Sequence, residues 1–225
     1  YEAALTELRR LDLVYPCDCS RAEIARVASA PHAGEEVVYP GFCREKNPNR
    51  DMKRAPAIRL RIPVGLTGSF HDEVQGGGEV LQHIDRDVGD FVLRRGDGVF
   101  AYQLAVAVDD ASMEITHVVR GRDLLSSTPR QRYLMTLVGA FVTPHYVHVP
   151  LVLDAEGERL AKRKKGVTIA SLREAGLSPE RVLGVLAFGL GVVSSSDPIS
   201  MSDLPIVHGT AFRTTPFRAP DLLAP

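Results

Sequence analysis

All three cysteines of the chain fall in one short stretch, as Cys17-x-Cys19 followed by Tyr39-x-x-x-Cys43. An odd number of thiols cannot close into disulfides without leaving one over, and two cysteines one residue apart make a poor bridge. Thiolate sulfur suits zinc, which takes four tetrahedral ligands. Three cysteines supply three donors, and on spacing alone His32 and Tyr39 have equal claims to be the fourth. A second chemical feature is Gly157-Glu-Arg159-Leu-Ala-Lys162-Arg163-Lys164-Lys165-Gly166, which follows the apolar run Val147–Leu153. A glycine-flanked loop rich in cations, placed after a strand, can bring ammonium groups onto a polyphosphate. Gly76-Gly77-Gly78 is a weak phosphate-loop candidate because no buried strand leads into it. Asp109-Asp110 could hold magnesium, but its placement, read as a strand-to-loop junction, favours a cap or pocket scaffold, so both are left out of the catalytic set.

The elements that must position these groups come from a chain of 225 residues, 44% apolar and 24% charged, with a net charge of −1. That is ordinary for a globular protein with a real core. No apolar run nears the ~18 residues a membrane span needs, no signal peptide is visible, and clustered reduced thiols point to the cytoplasm. The neutral balance gives no global field for nucleic acid. Locally, Arg44 to Arg61 carries seven Lys or Arg against two acids, a patch that reads equally as a solvated face or as a phosphate-binding surface.

Apolar positions 1, 4, 5, 8 and 11 make a helical stripe at the start, and a helix with nothing before it to bury that stripe suggests that the sequence given lacks residues upstream. Ser20-x-x-Glu23 is a capping box and predicts a helix from about Arg21 to before Pro31. Ile58, Leu60 and Ile62, alternating with Arg59 and Arg61, predict a half-exposed strand. Phe91 to Tyr102 reads as a hairpin around Gly96-Asp97-Gly98, and Leu104–Val108 is too short to assign. Ile115 to Gly121 reads as a buried strand with a polar tip. Ser127-Thr128-Pro129 and Ser178-Pro179-Glu180 each open a helix, and the tail from Gly209 reads as extended. Strand and helix alternate from residue 90 to 190, which predicts an α/β sheet binding ligands beyond its carboxyl ends.

His148-Val-Pro-Leu with Gly157-x-Arg159-Leu-Ala-Lys162-Arg163 resembles the KMSKS region of class I aminoacyl-tRNA synthetases, in its glutamate-specific form. Phe100-Ala-Tyr102 through Asp110 and Ile115-Thr-His-Val-Val-Arg120 through Arg130 are similar to that group's glutamate-pocket segments. The Cys-x-Cys…Tyr-x-x-x-Cys arrangement is similar to the zinc site of the glutamyl-Q tRNA(Asp) synthetases, shortened paralogues of glutamyl-tRNA synthetase. The resemblance implies a Rossmann-like catalytic domain with a small zinc-binding insertion. Residues 1–90 would be the remnant of the first Rossmann half with the zinc-containing insertion. Residues 91–175 would be the second half, with the glutamate pocket and the KMSKS-like loop, and 176–225 a C-terminal helical subdomain and tail.

The resemblance further implies that Cys17, Cys19, Tyr39 and Cys43 bind one structural zinc ion. A phenol with a free pKa of ~10 becomes a ligand when a cation favours the phenolate, and a closed shell leaves no place for substrate. Tyr102 and Arg120, which taken alone read as a hairpin core aromatic and a strand-end ion pair, are implied to bind glutamate. Lys162 is implied to be the catalytic, ATP-binding lysine. His148 either meets the nucleotide or is buried as a neutral core histidine. The implied reaction is activation of L-glutamate by ATP, with Mg2+, and transfer of glutamate to queuosine in the anticodon of tRNA(Asp), by a monomer. The alternatives are a fragment of a glutamyl-tRNA synthetase that charges tRNA(Glu), and a non-catalytic zinc module that binds RNA through Arg44–Arg61. Two departures stand out: Ala161 replaces the usual serine of the signature, and the half carrying the HIGH motif is not in this sequence. The expectation is that this stretch alone does not form adenylate at a useful rate. With 63 residues after Lys162, no anticodon-binding domain is expected.

Overall fold

The computed structural model describes residues 1–26, 37–74, 78–154, 157, 168–206 and 212–218. Contacts divide the chain into two units: Tyr1–Phe70, Val80–Thr116 and Ser126–Pro144 form one, and His71–Glu79, His117–Leu125 and His145–Pro225 the other.

The first unit opens with α1 (Glu2–Arg10). Its Leu5 and Leu8 are fully buried, whereas Tyr1 and Leu11 at the ends of the stripe stay largely exposed. Glu2 in its first turn and Arg9 and Arg10 in its last complement the helix dipole. Strand β1 (Val14–Cys17) leads into α2 (Arg21–Ala25), where Ser20 and Glu23 close the expected capping box. Beyond Arg26 the expected continuation of this helix lies outside the described residues. Strand β2 (Ala57–Leu60) pairs antiparallel with β1, with Cys17 opposite Ala57. Next come β3 (Thr67–His71) and β4 (Glu79–His83), which pair with each other, a single turn α3 (Ile84–Asp87), and β5 (Val92–Arg94), antiparallel to β2.

The expected hairpin is short. Arg94 bridges Phe100 and Arg95 N–H donates to Val99 O at 2.8 Å, but the chain then turns into α4 (Tyr102–Ser112). Leu104 and Ala107, three apart, are fully buried, so a helical period settles the stretch that was too short to assign. This corrects two expectations: Tyr102 is the first residue of a helix rather than part of a hairpin strand, and Asp109-Asp110 sit within a helix rather than at a strand end. Helix α5 (Thr128–Leu137) follows the Ser127-Thr128-Pro129 signal, with Pro129 in its first turn although no side chain caps it. Leu5, Leu8, Leu60, Ile62, Ile84, Leu93, Leu104 and Leu134 form the core of this unit. Burying such leucine and isoleucine side chains is worth about 1.5–3 kcal/mol each before entropy is subtracted.

In the second unit, β6 (His117–Gly121) and β7 (His145–Val149) pair in parallel, with Arg120 opposite His148. Strand β6 is not the buried strand expected: Val119 is mostly exposed. On the other side of β7, Asp72 forms an isolated parallel bridge with Tyr146, and Glu73 N–H donates to Tyr146 O at 3.1 Å. Strand β8 (Val152–Leu153) precedes a turn closed by Gly157 N–H to Asp154 O at 3.1 Å. Gly157 has φ +83°, a left-handed conformation that suits glycine. Helices α6 (Ile169–Glu174) and α7 (Pro179–Leu190) follow, the latter starting where Ser178 caps it and stopping at the left-handed Gly191. Strand β9 (Phe217–Arg218) pairs in parallel with β8, which gives the described part of the tail a place in a sheet. Leu172, Val185, Val182, Leu186 and Phe217 pack this end together. Among the described residues no helix is long and apolar enough to cross a membrane.

Candidate metal centre and carboxylate site

The metal site is built by the end of β1 and the segment that returns to it. Cys17 ends the strand and Cys19 precedes the cap of α2. Tyr39 and Cys43 come from a stretch anchored where Tyr39 bridges Gly89. The three sulfurs lie within 4.8 Å of one another. The Tyr39 Oη stands among them: it accepts from Cys17 Sγ at 3.3 Å, lies 3.6 Å from Cys19 Sγ, and accepts the Cys43 N–H at 2.9 Å. Cys19 and Cys43 Sγ are 3.6 Å apart. Around a tetrahedral ion, bonds of about 2.3 Å to sulfur and about 2.0 Å to oxygen give S···S edges of about 3.8 Å and S···O edges of about 3.5 Å. The spacings of 3.3, 3.6 and 3.6 Å lie close to those edges and the three sulfurs stay within 4.8 Å, so the residues present fit a metal ion. His32, the rival fourth donor, lies outside the described residues.

Burial, followed by hydrogen bonds with the three thiols, drives the Tyr39 phenol far above its usual range, and burial with neighbouring thiols pushes Cys19 up to about 11. Cys17 is also penalised by burial, yet its hydrogen bonds with Tyr39 and Arg59 lower it overall. The resistance of Tyr39 and Cys19 to ionisation is what a bound cation would reverse.

Around these donors lies a layer that sequence reasoning missed. Arg59 is only 9% exposed; its guanidinium lies over the Tyr39 ring at 3.8 Å and donates to Asp90 O at 2.8 Å. Arg50 donates to Cys43 Sγ at 3.3 Å and to Asp18 Oδ1 at 2.6 Å. Asp18 is buried and accepts the Lys53 N–H at 3.0 Å. That bond, with Arg50, holds its carboxyl well below the usual range. Nearby, Asp90 accepts from Tyr15 Oη at 2.6 Å, from Arg44 Nη1 at 2.7 Å and from Ile62 N–H at 2.7 Å, and Arg61 lies over the Tyr15 ring. Arg44, Arg50, Arg59 and Arg61 therefore serve the interior. Lys53 and Arg54 both face Glu23. The expected half-exposed pattern of β2 fails at Arg59 for this reason, and of the seven cations in 44–61 only Lys46, Lys53 and Arg54 are exposed.

Tyr102 and Arg120 fall in different units. Tyr102 is 51% exposed at the start of α4. Behind it, Gln103 receives a hydrogen bond from Gln131 at 2.8 Å and donates to Ser127 at 3.1 Å, tying α4 to the start of α5. Asp109 accepts from Tyr1 Oη at 2.6 Å, which fits the scaffold role. Arg120, half-buried on β6, donates from Nε to His148 Nε2 at 3.0 Å and from Nη2 to Leu124 O at 3.3 Å, and its guanidinium carbon stands 5.7 Å from the Tyr146 ring centre. His148 and Asp72 are both 0% exposed, with Nδ1 and Oδ2 2.5 Å apart. Burial holds the His148 imidazole below its ordinary pKa, against the upward pull of Asp72. Of the two expectations for His148, the structure shows the burial. Asp72 carried no sequence signal. Arg159, Ala161, Lys162 and the cations up to Lys165 lie outside the described residues, as do Gly76 and Gly77 of the glycine run.

A family model for the catalytic domain of class I tRNA synthetases (E and Q) matches residues 1–205. The chain belongs to that family. Its curated relatives include proteins named glutamyl-Q tRNA(Asp) synthetase. That of Nitratidesulfovibrio vulgaris is 47% identical, over 90% of this chain and 63% of the relative, and that of Nocardia farcinica 48%, over 85% and 60%. That of Geobacter sulfurreducens is 43% identical, over 100% and 70%. The chain thus spans about three-fifths of the length of the first two. Among solved structures, a glutamate tRNA ligase from Elizabethkingia meningosepticum superposes with a TM-score of 0.69 at 23% identity, over 99% of this chain and 50% of that one. That likeness speaks for the fold, an α/β class I synthetase catalytic domain.

Proposed function

We propose that this chain is part of an enzyme that activates L-glutamate with ATP and transfers it to queuosine in the anticodon of tRNA(Asp). In the first step the α-carboxylate attacks the α-phosphorus, a new O–P bond forms, and pyrophosphate leaves with the bond electrons. In the second, a hydroxyl of the queuosine ring attacks the acyl carbon, loses its proton, and AMP departs. Such chemistry rests on positioning and charge stabilisation. Arg120 offers a planar fork for a glutamate carboxylate, Tyr102 a phenol at an accessible helix start, and Lys162, with Mg2+, charge for the phosphates. Cys17, Cys19, Tyr39 and Cys43 hold one zinc ion as a staple for the segment between β1 and β2, outside the chemistry. Reduced thiols fit the cytoplasm.

The observation that carries this reading, beyond the names of the relatives, is the three-thiol and phenol cluster, the feature that resembles the glutamyl-Q branch. The inward commitment of Arg44, Arg50, Arg59 and Arg61 counts against the RNA-binding module. The test uses the full-length gene product: glutamate-dependent ATP–pyrophosphate exchange, then transfer of labelled glutamate to queuosine-containing tRNA(Asp) and to tRNA(Glu). Labelling of tRNA(Asp) alone is expected. Charging of tRNA(Glu) overturns the choice of acceptor, and absence of exchange overturns the enzyme.

A further inference from the structure

Three residues from three separate segments stand in a row across β7: Asp72 on one side, His148 on the strand, Arg120 opposite it on β6. We propose that Asp72 and His148 are positioning residues that set the guanidinium of Arg120 for a carboxylate ligand, through a single fixed imidazole tautomer. The proposal rests on the reading of Arg120 as a glutamate-binding residue and deepens it.

The hydrogen-bond directions carry the argument. Arg120 Nε bears one proton and can only donate, so His148 Nε2, 3.0 Å away, must present its lone pair. The ring proton of neutral imidazole then sits on Nδ1, where Asp72 Oδ2 accepts it. Asp72 is itself fixed: its Oδ1 accepts from Val74 N–H at 3.0 Å and lies 3.5 Å from the His148 backbone nitrogen. Tyr146 stacks near the imidazole at 6.2 Å and 11° and also faces the guanidinium. With Nε held by His148 and Nη2 by Leu124 O, the plane of the fork is defined at two atoms. Bidentate recognition of a carboxylate needs that plane oriented to within about 10–20°. An arginine on a flexible stem would otherwise have to lose its rotamer freedom when the ligand binds. The charges agree: a buried carboxylate and a guanidinium flank a neutral ring, so the row contains both members of an ion pair joined through an imidazole.

Asp72→Asn tests this with little change of shape. The amide can turn its N–H toward Nδ1, which moves the ring proton to Nε2 and sets two donors against each other at Arg120. On the 225-residue chain, long-range proton–nitrogen correlations of the His148 ring should show a protonated Nδ1 and a bare Nε2. A proton on Nε2 in the wild-type chain overturns the proposal, whatever the variants do. In the full-length gene product, Asp72→Asn and His148→Gln should each raise the KM for glutamate about 10- to 100-fold, the worth of one hydrogen bond to a charged group. The KM for ATP should move less than about threefold. Arg120→Lys separates the two readings. If it raises the glutamate KM and Asp72→Asn and His148→Gln do not, positioning is refuted while the pocket stands. If Arg120→Lys leaves the glutamate KM unchanged, the glutamate reading of Arg120 fails instead.

Discussion

Replacing Tyr39 by Phe removes one donor oxygen from the candidate metal site and nothing else. The ring remains, and with it the packing beneath the Arg59 guanidinium at 3.8 Å. What goes is a donor whose distances to Cys17 and Cys19 Sγ, 3.3 and 3.6 Å, match the edge of a zinc tetrahedron. Structural zinc sites bind with about 10–16 kcal/mol shared over four donors, about 3 kcal/mol each. Water can take the vacated corner and return part of this, so a net loss of about 2–3 kcal/mol is expected, or roughly 30- to 150-fold in zinc affinity. The same oxygen accepts the Cys43 N–H at 2.9 Å, so the metal-free protein also loses about 1 kcal/mol of stability. Competition with a chromophoric chelator under reducing conditions measures the affinity, beside elemental analysis giving one zinc per wild-type chain. His32→Ala is the control and should stay within about threefold of wild type. If Tyr39→Phe binds zinc as tightly as wild type and His32→Ala abolishes binding, the phenol is not a ligand and the reasoning from edge lengths is wrong.

Other perturbations test the surroundings. Asp90→Asn leaves Arg44 and one of two further donors badly served and should lower stability by about 2–3 kcal/mol, discounted because Arg44 is partly exposed; a urea midpoint equal to wild type would refute the assignment. Gly184→Ala drives a methyl group into the backbone carbonyl of Asp197, so melting should fall by several degrees, with a cost of about 1–3 kcal/mol. For pH, the folded His148 has a lowered pKa, so near its ordinary value of about 6.5 the unfolded chain binds a proton that the folded chain does not. Stability should therefore rise with pH through the window below about 6.5 and be lost as the pH falls through it. His148→Gln should flatten that slope in urea titrations at pH 5.5 and 7.5, and an unchanged slope would assign the dependence elsewhere.

How legible these features were in the sequence follows from the range of the forces involved. The capping box at Ser20 and Glu23, and the starts of α5 and α7 at Thr128 and Pro179, are set by neighbours within one helical turn. They could be read locally. The cysteine cluster could be read because thiols are rare and their chemistry narrow. Tyr102 was misplaced because Val99-Phe-Ala-Tyr102 has strand composition, and burial of Leu104 and Ala107 against the core outweighs that preference. The exposure of β6 was unreadable, since Val118 and Val119 look like core and the outcome depends on β6 pairing, among the described residues, with β7 alone. Asp72 gave no sign at all: its partner His148 is 76 residues away, and an aspartate before a glycine run looks like a turn.

The basic stretch Arg44–Arg61 shows how charge count misleads where charge placement decides. Three thiolates and a phenolate around a bound dication would leave two surplus negative charges in a mostly buried pocket, and burying uncompensated charge costs several kcal/mol per ion. The sequence supplies the compensation nearby. Arg59 stands over the Tyr39 ring, Arg50 reaches the Cys43 sulfur, and Asp18 accepts from Arg50. Arg44 does the equivalent for the Asp90 carboxylate, and Arg61 lies over the neutral Tyr15 ring on the strand that carries Cys17. A surface evolved to bind RNA phosphates would keep its guanidinium groups outward and solvated, and it would lose affinity steeply with salt. Here Arg44, Arg50 and Arg59 are engaged by groups of the protein itself, so that part of the positive charge supports the candidate metal centre and the strands around it.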